Sequence, residues 1–281
     1  MAIRITSDST CDLGRYAEER NIGINPMTVI LDGDIYHDGV DITPEDIFKF
    51  VADTKQLPKT SATAVEEYKE FFEKELKGYD SLLHFDLSAK SSVTHNNAKT
   101  AAESFGGRVR FIDSMALSTG QGLLVLKACD LRDEGKSIDD IEETINALKK
   151  TVNTSFIPDS LDYLKKGGRV SGMVNLAAAM FKIHPAIVMK EGQLVPGKKY
   201  KGRMNIIIRQ YIEDLKAQYP SYDKTRCFVT HSSADADLVE TAKACVKEMF
   251  EFDEILETVA GAVITSHCGR NTLGVLFIYN D

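Results

Sequence analysis

The chain has 281 residues, 43% of them hydrophobic and 27% charged, with a formal net charge of −8. That length implies two domains or one large one with a core of its own, and the acidic balance argues against a partner that is a nucleic-acid backbone. The five cysteines, Cys11, Cys129, Cys227, Cys245 and Cys268, are odd in number and form no C-x-x-C pair, which argues against a disulfide framework or a cysteine zinc site and fits reduced thiols in a cytoplasmic protein.

The first eight residues do not read as a signal peptide, because Arg4 and Asp8 interrupt any apolar stretch. The longest apolar run, 176–180, falls far short of the ~18 residues a membrane span requires. Ile3 and Ile5 alternate with Arg4 and Thr6, so the chain opens as a strand; it ends in Ser7-Asp8-Ser9-Thr10, and a helix is expected from Asp12 onward. Residues 27–31 form a short apolar run, and Asp32-Gly33-Asp34 is a hairpin-type turn. Thr43-Pro44-Glu45-Asp46 is a helix start, with a capping threonine, proline in the first turn and acids behind it. Thr63 with Glu66 predicts a capping box for a helix to about residue 77, which Gly78 stops. A strand over 81–85 leads into Ser88, Ser91 and Ser92, and a helix over 96–105 breaks at Gly106-Gly107. A strand over 108–112 ends at Asp113-Ser114, a helix follows over 118–132, and Ser137 with Asp140 caps the next one.

In the second half, 153–157 reads as a strand and 161–166 as a short helix ended by Gly167-Gly168. Residues 186–189 and 193–195 flank Glu191-Gly192 as a hairpin, and 204–218 is a long amphipathic helix. A strand over 227–230, a helix over 235–250 and strands over 254–259 and 272–279 complete the chain. The expected fold class is therefore α/β in two domains. Residues 1–153 form a parallel α/β domain, and residues 154–281 an α+β domain with a mixed or antiparallel sheet.

In a parallel sheet, ligands sit beyond the carboxyl ends of the strands, where the hydroxyl-rich runs fall. Lys59-Thr60-Ser61-Ala62-Thr63 precedes a helix whose free N–H groups favour an anion, although capping by Thr63 explains the same residues. Ser88, Ser91, Ser92 and Thr94 form a second such cluster, again open to capping. Thr265-Ser266-His267-Cys268-Gly269-Arg270 places an imidazole between hydroxyls and a glycine, suited to anion binding, to acid–base work or to a purely structural hydrogen bond. Lys165-Lys166-Gly167-Gly168-Arg169 and Lys198-Lys199-Tyr200-Lys201-Gly202-Arg203 are basic, glycine-punctuated stretches, expected in loops or at loop–helix junctions. The chain holds no G-x-x-x-x-G-K-[ST] loop, no H-E-x-x-H and no G-x-S-x-G elbow.

Taken in order, Ser7-Asp8-Ser9-Thr10-Cys11-Asp12-Leu13, Lys59-Thr60-Ser61, 87–98, Ile112-Asp113-Ser114 with Gly120 and Gly122, Leu164-Lys165-Lys166-Gly167-Gly168-Arg169-Val170-Ser171 and Ser266-His267-Cys268-Gly269 resemble the DegV family of bacterial fatty-acid-binding proteins over essentially the whole chain. The resemblance implies a long-chain fatty acid, of about palmitate to stearate size, buried between two domains. Thr60 of the T-S pair with Ser61, together with Ser92, would hold the carboxylate, and His267 would lie beside it. Arg169 and Arg203 would serve a partner fatty acid kinase or the acyl phosphate. The resemblance implies a carrier rather than a catalyst, with no cofactor and no metal, and it is compatible with transient membrane contact. Candidate pocket walls are Met173, Leu176, Phe181, Ile183 and Ile187. The sequence departs from the family pattern at Val93, where glycine is usual, at Ala62-Thr63 and at Arg270-Asn271. The competing reading is a stand-alone hydrolase or phosphoryl-transfer enzyme built on His267 and the hydroxyl cluster.

Overall fold

The structure, a computed structural model, describes residues 2–171 and 183–280. Its first sheet is wholly parallel, in the order Gly23–Asn25, Ile3–Asp8, Ser81–Asp86, Val109–Asp113. Ile3 and Ile5 are buried as their alternation requires. The helix expected from Asp12 starts later, at Arg15–Glu19, because Asp12 adopts a left-handed conformation (φ 50°) that a right-handed helix cannot contain.

A three-stranded antiparallel ribbon, in the order Asp34–His37, Thr28–Leu31, Lys59–Ser61, follows the predicted hairpin turn. Here the structure corrects the sequence. Lys59-Thr60-Ser61 is a strand, with Thr60 paired to Val29, and residues 62–64 separate it from the expected helix. The helix Val65–Glu75 has Ala64 at its N-cap, and Ala64 N–H donates to Glu67 Oε2 at 2.7 Å. The Thr63 hydroxyl instead accepts from Asn25 Nδ2 at 3.2 Å. The Thr43 cap and the Ser137/Asp140 capping box form as expected, and Asp46 completes a capping box at Thr43 as well.

The second sheet has seven strands. Six run in the order Gln193–Lys201, Ile183–Lys190, Ser155–Ile157, Thr272–Tyr279, Tyr222–Ser232, Glu254–Val259, and Val152–Asn153 also pairs with Thr272–Tyr279. Among the described strand pairs of this sheet, Tyr222–Ser232 with Glu254–Val259 is parallel and the others are antiparallel, so the sheet is mixed. The basic stretch 198–201 is strand rather than loop, and Arg203 is the N-cap of the helix Met204–Gln218.

The helix Thr119–Asp133 lies between the two sheets and is buried on nearly every side of its first ten residues. One apolar cluster joins Leu123, Leu124 and Leu126 of this helix to Ile5 and Leu83 of the first sheet and to Phe228 and Leu276 of the second. Gly122 allows the close approach: a Cβ there would stand 2.8 Å from the Cys11 carbonyl oxygen. A further cluster joins Met27, Val29 and Leu87 to Leu164, Leu194 and Val263, so the halves share a core at two places. At about 1.5–3 kcal/mol per fully buried large aliphatic or aromatic side chain, these shared clusters couple the halves strongly. No helix among the described residues is long and apolar enough to cross a membrane.

Candidate functional site

A cavity runs along the seam between the sheets and opens to solvent. Met27, Leu87, Leu117, Phe156, Leu164 and Leu276 supply apolar wall. Thr60, Ser61, Ser92, His267 and Arg169 line the same cavity, although they come from positions up to 207 residues apart. Arg203 is exposed at its helix start and does not line it. Of the expected wall residues, Ile183 and Ile187 do not line it either; Ile187 packs in the core with Val170 and Leu194. Met173, Leu176 and Phe181 lie outside the described residues.

The polar centre is a contact between Thr60 Oγ1 and His267 Nε2 at 2.9 Å. His267 Nδ1 is buried without a hydrogen-bond partner among the described residues, and Gly167 covers it so closely that a Cβ there would come within 2.8 Å. Burial, reinforced by the Arg169 guanidinium, pushes the imidazole down to about 4, so the ring is neutral near pH 7. The Ser92 hydroxyl accepts the Thr94 N–H at 3.2 Å, which leaves its own proton for a ligand. Ser61 donates to the Ala62 carbonyl at 3.3 Å. Thr63 N–H donates to Thr94 Oγ1 at 3.3 Å and Asn97 Nδ2 to the Thr63 carbonyl at 2.8 Å, which ties the Thr60 loop to the helix behind Ser92. Val93 sits at φ −79°, a conformation open to any residue, so its side chain in place of glycine strains nothing. The Arg270 guanidinium stacks over Phe48 at 4.8 Å.

His267 stands in the last turn of a short helix, Ala262–Cys268, which sequence reasoning missed. Its Val, Ile, Thr and Ser residues have little helix propensity, and two carboxylates far away in sequence hold it. Gly261 N–H donates to Asp12 Oδ1 at 2.8 Å and Ala262 N–H to Asp38 Oδ1 at 2.6 Å. Ser118 Oγ donates to Asp12 Oδ2 at 2.5 Å and Ser9 Oγ to Asp38 Oδ2 at 2.9 Å. Burial raises both carboxyl pKa values, which these hydrogen bonds partly oppose. The sequence carries Asp12 only within the segment 7–13 and gives no sign of Asp38, because both act as braces for a helix more than 200 residues away.

Behind the first sheet lies a buried cluster. Asp86 accepts from Tyr68 at 2.8 Å and meets His84 and His95 at 3.2 Å each. Burial alone would raise Asp86, but the His84 charge and hydrogen bond, with help from His95 and Tyr68, outweigh it and hold the carboxyl at about 2. Asp8 is pushed up to about 6 by burial and by the neighbouring Asp86 charge. Among the described residues no group of three or more His, Cys, Asp or Glu is arranged to hold a metal.

The Thr60–His267 pair has the outline of a nucleophile and its base. A working pair of that kind needs a third group to orient the ring and a base whose pKa lies near neutrality. Here Nδ1 has no such group, and the ring titrates near 4. The geometry suits holding an anion better than abstracting a proton.

A family model described as "Uncharacterised protein, DegV family" matches residues 2–280. A DegV domain-containing protein of Listeria monocytogenes is 32% identical, with 99% of each chain covered. A DegV family protein of Thermus thermophilus, whose structure is described as showing fatty acid binding, superposes with a TM-score of 0.93 at 28% identity over 100% of both chains. A stearic acid-binding protein of Eubacterium ventriosum superposes with a TM-score of 0.86 at 26% identity, over 99% of this chain and 98% of that one.

Proposed function

The chain belongs to the DegV family, and on that premise we propose that it binds one long-chain fatty acid in the seam cavity and carries it as ligand rather than transforming it. The acyl chain, of about palmitate to stearate size, lies between the units 1–153 and 154–281. Thr60, of the pair with Ser61, and Ser92 hold the carboxylate, and His267 lies beside it behind Thr60. Arg169, at the mouth, and Arg203 serve a partner fatty acid kinase that phosphorylates the presented carboxyl group. The carrier works in the cytoplasm and meets membranes only transiently.

The observation that carries this reading is a mostly apolar cavity whose few polar groups include the Thr60–His267 contact and the proton of Ser92. A buried chain gains about 0.8 kcal/mol per methylene, so a few anchors suffice for orientation. We assign the His267 proton to Nε2, because Nδ1 has no acceptor in reach among the described residues. Nε2–H then donates to Thr60 Oγ1, and the threonine O–H is free to donate to the carboxylate. Arg169 at the rim adds positive potential without entering the apolar interior.

Organic extraction of purified protein followed by mass spectrometry tests the reading: a long-chain acid is expected without added lipid, at close to one per chain. Ser92→Ala is expected to weaken retention about tenfold, the value of one hydrogen bond to a charged group. A lipid-free protein that takes up no fatty acid on titration ends the proposal.

A further inference from the structure

The cavity carries a second set of hydroxyls for which a carboxylate has no use. Ser118, Thr154 and Thr230 line it from the start of the helix Thr119–Asp133, from the junction between Val152–Asn153 and Ser155–Ile157, and from the strand Tyr222–Ser232. Two of the three are satisfied within the protein. Ser118 is committed to Asp12 at 2.5 Å, and Thr230 Oγ1 meets Thr119 Oγ1 at 2.5 Å and Thr258 Oγ1 at 3.0 Å. Thr154 is not: the residue is 2% exposed, and its Oγ1 is buried with no hydrogen-bond partner among the described residues.

The local chain direction explains why. Ser155 and Ile157 turn to the far side of the sheet, where Ser155 Oγ meets the Tyr211 hydroxyl at 2.7 Å and Ile157 joins the same apolar cluster as Tyr211. Thr154 and Phe156 alternate with them on the opposite face; all of 154–156 line the cavity, but the Ser155 hydroxyl is taken up by Tyr211. Gly120 faces the Thr154 hydroxyl, and any Cβ there would collide with it. The hydroxyl is thus packed against a bare glycine, in a residue that lines the ligand space. Buried hydroxyls are ordinarily paired, because leaving one unpaired forfeits the hydrogen bonds it had in water. A hydrocarbon chain cannot provide that pairing.

We propose that the natural occupant carries an oxygen along its chain, as a hydroxy or oxo fatty acid does, and that Thr154 recognises it. A threonine hydroxyl donates to an oxo or hydroxyl oxygen and accepts from a hydroxyl, so either group fits. This inference rests on the fatty-acid reading above and narrows its ligand class.

The test titrates delipidated full-length protein with stearate and with stearates bearing one hydroxyl at successive carbons. Stearate binds, and hydroxyls over one short stretch of the chain raise affinity about tenfold, which corresponds to about 1.4 kcal/mol. Thr154→Val, nearly the same shape without the hydroxyl, loses that gain and keeps stearate affinity, whereas Thr154→Ser retains the gain. Stearate binding as tightly as every hydroxylated chain overturns the inference while leaving the fatty-acid reading intact, as does a preference that survives in Thr154→Val. If neither stearate nor any hydroxystearate binds the unaltered protein, the fatty-acid reading falls, and this inference with it.

Discussion

His267 shows how burial sets the chemistry of a single side chain. Its ring titrates near 4 against an ordinary value of 6.5, chiefly from burial and then from Arg169. Between those values the unfolded chain takes up a proton that the folded chain refuses. The stability tied to the neutral ring is therefore fully present above pH 6.5 and is lost as pH falls toward 4. Asp8, raised to about 6, works in the opposite sense, since its burial penalty grows as pH rises through that range. Comparing lipid-free wild type with His267→Gln cancels the Asp8 contribution. We expect urea unfolding to show the wild type losing on the order of 2 kcal/mol more than the variant between pH 6.5 and 4. Parallel pH profiles would mean that the ring is not held neutral. A bound carboxylate beside the ring favours its protonated form, so lipid-loaded protein should show a smaller difference.

The short helix Ala262–Cys268 owes its existence to partners rather than to its own sequence. Asp12 and Asp38 accept its first two free N–H groups and complement its positive end. Charge-assisted bonds of this kind contribute about 1.5–3 kcal/mol each. Asp38→Ala removes the acceptor of both Ala262 N–H and Ser9 Oγ, and it is expected to cost about 2–3 kcal/mol by urea unfolding. It should also lower fatty-acid retention, although Asp38 does not line the cavity; Asp38→Asn, which keeps a carbonyl oxygen, should restore part of both. Unchanged retention in a folded Asp38→Ala would show that His267 does not depend on this brace. Gly167→Ala probes the other side of the ring. Alanine favours a helix by up to about 1 kcal/mol, yet its Cβ would meet His267 Nδ1 at 2.8 Å. Retention is therefore expected to fall while stability holds or rises, as read by extraction and thermal melting together.

The two halves are expected to unfold together because the helix Thr119–Asp133 buries side chains against both sheets. Arg226 of the second sheet also bridges to Asp130 of that helix at 2.8 Å, with both side chains largely covered. Thermal unfolding should thus show one cooperative transition, with calorimetric and van't Hoff enthalpies in agreement. The isolated segment 1–153 should expose the helix face that meets Phe228 and Leu276 and bind a hydrophobic dye; two separate transitions would contradict this. Since the cavity wall draws on both halves, the proposed ligand is expected to bind only when they are joined. Fatty acid at a hundred times its dissociation constant should add about 2.7 kcal/mol to stability and raise the melting temperature accordingly.

Periodicity, caps and glycines made nearly every helix and strand readable, because these signals act over a few neighbouring residues. The helix at 204–218, the cap at Thr43 and the capping box at Ser137 matched to the residue. The ordered motifs also brought Thr60, Ser92 and His267 forward as a set, and all three line one cavity. Local patterns misled where distant partners outweighed them: at the strand Lys59–Ser61, drawn into a ribbon by Val29, and at the helix Ala262–Cys268, held by Asp12 and Asp38. Nothing in one dimension distinguishes a paired hydroxyl such as Thr230 from an unpaired one such as Thr154. Hydrogen bonding, burial and ring pKa depend on atoms that meet only when chain positions 100 or more residues apart pack against each other, as Thr119 and Thr230 do across 111.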